Sequence, residues 1–279
     1  VQYGIYLPPF AEFADPHRVA DLAASAEAAG WDGFYIWDHM LAEPGMAVAD
    51  AWTTLAAIAM STTRIRLGAL VTPLARRRPW VLARQLATLD HLSRGRLVAG
   101  IGLGDDGWHE FSAFGEETSA RGRGELLDEA LEVLLHFLTG TVVVHAGSSF
   151  AIDSPPFLPT PVQDPLPIWA AVRWPNRKPL ARAARLQGCF PIFSAGGAQP
   201  TVPDPEDLIA IRASLVGLGT PAAQDLVVCC ALHRLSAAER SESVRAMAGA
   251  GVTWLLEAFG RGQAPAQVEA FVAQGPPAG

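Results

Sequence analysis

Eight times along the chain, a short run of β-favouring residues ending in Gly, Pro, Asp or Thr precedes a longer Ala/Leu/Arg/Glu run with helical spacing. The predicted strands are Tyr3–Leu7, Gly33–Trp37, Ile65–Val71, Arg96–Ile101, Ile168–Val172, Cys189–Phe193, Leu226–Leu232 and Val252–Ala258. The predicted helices are Pro16–Ala29, Asp50–Met60, Pro79–Leu92, Arg121–Leu138, Asn176–Leu186, Pro205–Leu218, Ala237–Ala250 and Pro265–Ala273. Asp15 is suited to cap the first helix, with Pro16 at its first position and Gly30 as its stop. Strict strand–helix alternation implies parallel pairing through right-handed crossovers. Eight units in 279 residues match a closed α/β barrel of the (β/α)8 or TIM type. An open doubly wound sheet is the alternative.

Residues 142–161 interrupt the rhythm. Val142–Val144 and Phe150–Ile152 read as a hairpin turned by Gly147 and Ser148, and a proline-rich loop follows. The expectation is one barrel domain over residues 1–279, with 275–279 as a loose tail. Half of the residues are hydrophobic, enough for one large core.

The net charge of −7 argues against non-specific nucleic-acid binding and against adhesion to an anionic membrane. Positive charge is local: Arg76, Arg77 and Arg78, then Arg173, Arg177 and Lys178. Such clusters suit a small anionic ligand; a solvated charged loop is the alternative. Cys189, Cys229 and Cys230 lie in apolar runs without zinc spacing and read as small buried hydrophobes in a reducing cytoplasm. No signal peptide is visible, and no stretch reaches the roughly 18 uncharged apolar residues of a membrane span, so a soluble cytoplasmic protein is expected.

Barrel enzymes carry their sites on the loops that follow the strands. Lys178 is the only lysine and starts a helix, which disfavours a Schiff-base aldolase. Only His39 and His233 lie near strand ends, too few for a metal-dependent barrel hydrolase, so no metal is expected. Asp105 and Glu257 are not marked as the paired carboxylates of a glycosidase. Asp38-His39 ends the second strand, where a histidine can exchange a proton near neutrality; a structural histidine is the alternative. Gly102 and Gly104 let backbone approach a ligand, although many strand–loop corners are glycine-rich. Arg173-Trp174-Pro175-Asn176-Arg177 precedes a helix, as a phosphate loop would, although Asn176 also suits a plain helix cap.

Several blocks resemble the bacterial-luciferase-like superfamily, in order and at its spacing. They are Ala28-Ala29-Gly30-Trp31-Asp32-Gly33-Phe34 leading to Trp37-Asp38-His39, then residues 64–73, residues 85–104, and Glu110-Phe111 with Phe114-Gly115. The resemblance covers residues 3 to about 190. It implies a luciferase-like barrel that binds reduced FMN or coenzyme F420, acts on a small organic substrate and forms a homodimer. By this resemblance His39 lies beside the isoalloxazine or deazaflavin ring, with Asp38 and Asp105 as further catalytic groups. Ala69-Leu70 falls where a non-prolyl cis peptide bulges under the ring, and Thr72 where a polar group touches the cofactor. Arg173, Trp174, Asn176 and Arg177 stand where the family has a glycine-rich phosphate loop. Its usual Gly-Gly is absent, and Asp105 replaces a common glutamate. The lid after strand six is expected to shrink to Ser194–Pro203. The implied activity is hydride transfer or monooxygenation. A ligand-holding barrel without turnover and an unrelated phosphate-handling isomerase remain as alternatives.

Overall fold

A computed structural model describes residues 1–193, 201–221 and 223–277. Most of the expected lid (194–200) and the end of the expected tail (278–279) lie outside the described residues.

Nine strand segments form one parallel sheet. They are β1 (Gln2–Leu7), β2 (Gly33–Ile36), β3 (Arg66–Ala69), β4 (Thr72–Pro73), β5 (Ala99–Gly102), β8 (Ile168–Arg173), β9 (Gly188–Ile192), β10 (Asp225–Cys230) and β11 (Trp254–Ala258). Their order is β3-β2-β1-β11-β10-β9-β8-β5-β4. The two ends of that order are consecutive in the chain: β3 lies within the third predicted strand, Ile65–Val71, and β4 directly follows its end, with the cis peptide Leu70-Val71 between them. Leu67 of β3 bridges Leu97 just before β5, with Val98 donating its N–H to the Leu67 carbonyl at 2.9 Å, and this closes the barrel. The open doubly wound sheet is thereby excluded.

Among the described residues eight helices follow the barrel strands: α1 (Pro16–Ala28), α2 (Ala51–Ser61), α3 (Pro79–Ser93), α4 (Ala120–Leu138), α5 (Arg177–Ala183), α6 (Pro205–Gly217), α7 (Ala237–Gly249) and α8 (Pro265–Val272). Asp15 caps α1 by accepting from the His17 N–H, Pro16 is the first helical residue, and Gly30 turns the chain out at φ +94°. The predicted hairpin is present as β6 (Val143–Ala146) and β7 (Ala151–Ser154).

The fourth predicted strand starts three residues late, at Ala99. The Arg96 side chain is held by the carbonyls of Ala59, Thr62, Ile65 and Ser93 at 2.7–3.1 Å and ties off the end of α2, while its own carbonyl accepts from the Leu67 N–H at 3.2 Å in the bridge that precedes β5. The fifth helix ends at Ala183, short of the expected Leu186.

Side-chain alternation on the strands divides the core in two. Tyr6, Tyr35, Leu70, Trp169, Phe190, Val227, Trp254 and Leu256 face one another inside the barrel. Their sequence neighbours Ile5, Phe34, Ala69, Ile168, Cys189, Val228 and Leu255 pack outward among the helices.

Two carboxylates fasten loops to this frame. Glu27 accepts from the N–H groups of Thr63, Arg64 and Ile65, which locks the turn into β3; Glu129 accepts from Ser148 and from the N–H groups of Ser149 and Phe150, which staples the hairpin to α4. Burial alone would raise both carboxyls, but these donors, with His145 beside Glu129, bring each down to about 2. Because the folded values are depressed, their contribution is complete above the ordinary carboxylate range and fades as pH falls from about 4.5 towards 2. Glu27→Gln and Glu129→Gln are therefore expected to flatten the fall of urea midpoint over that window. An unchanged slope in both variants would remove them as the acid-sensitive fasteners.

Candidate active site at the barrel mouth

The inward-facing residues of β2, β8, β9 and β10, with the bulge after β3, end in a partly open floor made by Trp37, Val71, Ala171, Ile192 and Cys229. It rests on the buried Tyr6, Leu70 and Phe190. The Tyr6 hydroxyl donates to the Leu70 carbonyl at 2.7 Å and fixes the bulge. The cis bond is one residue beyond the expected Ala69-Leu70; Ala69 packs outward and Leu70 inward.

Continuing the alternation of β2 puts Trp37 and His39 on the mouth side and Asp38 on the helix side. His39 Nδ1 is 2.7 Å from Glu110 Oε2, and Phe10, Trp37 and Trp108 surround the imidazole at centroid distances of 5.6, 5.7 and 4.9 Å. Nε2 has no protein hydrogen bond among the described residues.

The expected catalytic Asp38 is differently placed. Its side chain is 2% exposed and accepts from Arg77 Nη2 at 2.7 Å, Arg76 Nη2 at 3.3 Å and Trp52 Nε1 at 3.2 Å. Its oxygens are engaged behind the strand, so it does not reach the mouth to exchange a proton. Arg76 and Arg77 correspondingly form neither an anion site nor a solvated loop. Arg76 bridges Asp38 and Glu110, with Nη1 3.0 Å from Glu110 Oε1; only Arg78 faces solvent.

Asp105 and Arg173, from the ends of β5 and β8, meet at 3.8 Å as an exposed pair on the rim. Arg177 and Asn176 are exposed beyond it, and Asn176 makes no side-chain cap hydrogen bond to α5. Trp174 turns away and donates to Asp207 of α6 at 2.8 Å. Gly102 and Gly104 are required by the protein itself. A Cβ on Gly102 would meet Val71 at 2.6 Å; one on Gly104, at φ +75°, would meet Phe111 and Pro73 at 2.8 Å. The Thr72 hydroxyl and the Trp37 indole N–H are buried without partners among the described residues.

His233 and Glu257 do not join this mouth. Trp254, Leu256 and Ala258 face inward on β11, so Glu257 faces the helices, where His233 Nδ1 lies at 2.6 Å. Burial raises the Glu257 carboxyl even though the hydrogen bonds from His233 oppose it. Asp105 and Glu257 therefore cannot flank one substrate. Among the described residues no group of three or more His, Cys, Asp or Glu is placed to hold a metal ion.

Glu110 was legible only as part of a motif; its partners lie 34 and 71 residues away in sequence, and nothing local announces them.

Comparison with known proteins bears on the fold and the family. An F420-dependent glucose-6-phosphate dehydrogenase from Nakamurella multipartita is 32% identical over 176 residues, 61% of this chain and 51% of the relative. The match thus spans about half the length of that relative. Among solved structures, the coenzyme F420 dependent tetrahydromethanopterin reductase from Methanopyrus kandleri has a TM-score of 0.74 at 18% identity, covering 98% of this chain and 97% of that one. A monooxygenase from Streptomyces bottropensis has a TM-score of 0.68 at 23% identity, covering 90% and 79%. The family model for luciferase-like monooxygenases matches residues 2–268, and the chain belongs to that family.

Proposed function

We propose that the protein is an oxidoreductase that holds coenzyme F420, or alternatively reduced FMN, over the barrel floor and transforms a small organic substrate beside His39. The observation that carries this reading is His39 itself: it stands at the edge of an apolar floor with Nδ1 engaged and Nε2 unengaged. The matched F420-dependent relative supports the deazaflavin over the flavin.

The residues fit such a cofactor. A planar ring suits the floor of Trp37, Val71, Ala171, Ile192 and Cys229, and the partnerless Trp37 N–H and Thr72 hydroxyl are polar groups that the heteroatom edge of a ring would satisfy. Arg173, Arg177 and Asn176 are exposed on the rim, within reach of an anionic tail, with Asp105 paired to Arg173. When bound, either ring supplies two-electron redox chemistry. The protein's part is to bind the ring, keep water from its lower face and move a proton at His39 Nε2. The backbone of Leu70–Thr72 and of Gly102–Gly104 borders the same slot.

Titration with F420 and with reduced FMN, followed by ring absorbance, tests the reading. Saturable binding of one of them is expected, and Arg173→Ala should weaken it by about 1–3 kcal/mol, roughly 5- to 150-fold. Binding of neither ring would overturn the proposal; unchanged affinity in Arg173→Ala would move the anionic tail elsewhere. A homodimer in the cytoplasm completes the reading. The family resemblance and three free cysteines support it, and a sedimentation mass near 29.6 kDa would refute the dimer. Among the described residues no helix is long and apolar enough to cross a membrane.

A further inference from the structure

We propose that Glu110 is a positioning residue: clamped by Arg76 and the Met40 N–H, its carboxylate keeps the ring proton of His39 on Nδ1 and leaves the Nε2 lone pair facing the substrate. This deepens the function proposed above and rests on it only for the role of Nε2.

The two oxygens of Glu110 have separate tasks. Oε1 accepts from Arg76 Nη1 at 3.0 Å and from the Met40 N–H, with the Leu41 N–H at 3.3 Å; Oε2 faces His39 Nδ1 at 2.7 Å. The side chain is 2% exposed, so no water competes for these positions. Burial alone would raise the Glu110 carboxyl, but His39, Arg76 and the Met40 N–H outweigh it and hold the group below its ordinary value. An ionised carboxylate only accepts hydrogen bonds, so the shared hydrogen belongs to Nδ1. A neutral imidazole carries one N–H, and Nε2 is then bare.

The surroundings hold this arrangement. Phe10, Trp37 and Trp108 pack around the imidazole and oppose a ring flip. The charged groups near it are Glu110 directly, Arg76 behind Glu110, and Asp38 with Arg77 on the far side of β2. Arg261 stacks on the outer face of Trp108 and pairs with Glu43. A substrate O–H proton can thus pass to Nε2: the O–H bond breaks, the N–H bond forms, and the resulting imidazolium faces the Glu110 carboxylate.

The experiment is a long-range proton–nitrogen spectrum of the nitrogen-15-labelled protein without cofactor, at a pH where imidazole is neutral, with His39 assigned by its loss in His39→Asn. The expected wild-type spectrum shows a protonated Nδ1 and a bare Nε2. A protonated Nε2 overturns the proposal without any variant having to fold. In Glu110→Gln the amide oxygen must stay at the Oε1 position, where Arg76 and Met40 donate, so the amide N–H turns to Nδ1 and the proton moves to Nε2. The expected result is a reversed nitrogen pattern, a kcat lower by about 10²- to 10⁴-fold and unchanged cofactor affinity. Glu110→Asp should keep the wild-type pattern. A Glu110→Gln spectrum like that of wild type also overturns the proposal. Because the spectrum needs no cofactor, binding of neither F420 nor FMN would refute the proposed function and leave the tautomer result standing.

Discussion

His39→Ala is expected to lower turnover by a factor of about 10² to 10⁴ while cofactor affinity stays near wild type, the size of effect associated with losing a positioned acid–base group. The separation follows from the architecture. The proposed ring-binding surface is the floor of Trp37, Val71, Ala171, Ile192 and Cys229, and the proposed tail contacts come from the end of β8. His39 belongs to neither; it reaches the mouth from the end of β2 and is fixed there by Glu110 and three aromatic rings. Steady-state kinetics beside a cofactor titration check it. Full turnover in the variant would remove His39 from the chemistry, and a loss of affinity matching the loss of rate would make it a binding residue.

The second large effect is on stability. Arg76→Met is expected to destabilise the fold by about 3–5 kcal/mol, because removing one member of a buried ion network strands its partners. Arg76 is 5% exposed and serves two carboxylates that are each 2% exposed, Asp38 and Glu110, and it also donates to the Asp38 carbonyl at 2.9 Å. Arg77→Met should be comparable, since Asp38 would lose its shortest contacts, at 2.7 Å. For a chain of this length the melting temperature should fall by on the order of 10 °C. Arg78 is the internal control. It is exposed, its backbone carbonyl accepts from the N–H groups of Val81 and Leu82 in any variant, and its guanidinium lies over the Trp80 ring, so Arg78→Met should change stability by no more than about 0.5 kcal/mol. Equal losses at all three positions, measured by thermal and urea unfolding, would show that the network is not what these arginines contribute.

The triplet also shows where sequence reasoning stops. Three adjacent arginines on an acidic chain suggest an anion site, yet the anions that two of them meet are the protein's own: Asp38 and Glu110, 38 and 34 residues from Arg76, and Asp38, 39 residues from Arg77. Only the closed barrel brings those loops together. By contrast, the strand–helix rhythm was legible throughout because it is local; what it does not show are distant contacts such as the four carbonyls gathered by the Arg96 side chain and the Tyr6 hydroxyl on the Leu70 carbonyl. Asp38 is an intermediate case. The two-residue period already places it opposite His39, so that their adjacency in sequence means separation in space. For Asp105 and Arg173 the resemblance suggested separate roles; the structure brings them together on the rim.

At the opposite end of the barrel, Tyr35, Trp169 and Trp254 are fully buried and pack in tilted and edge-on pairs at 5.3–5.8 Å between centroids. Among the described residues they fill that end of the cylinder, which leaves the mouth described above as the open end. For a cofactor and substrate bound at the mouth as proposed, the one seated deeper is expected to bind first and leave last, an order that two-ligand inhibition patterns would check.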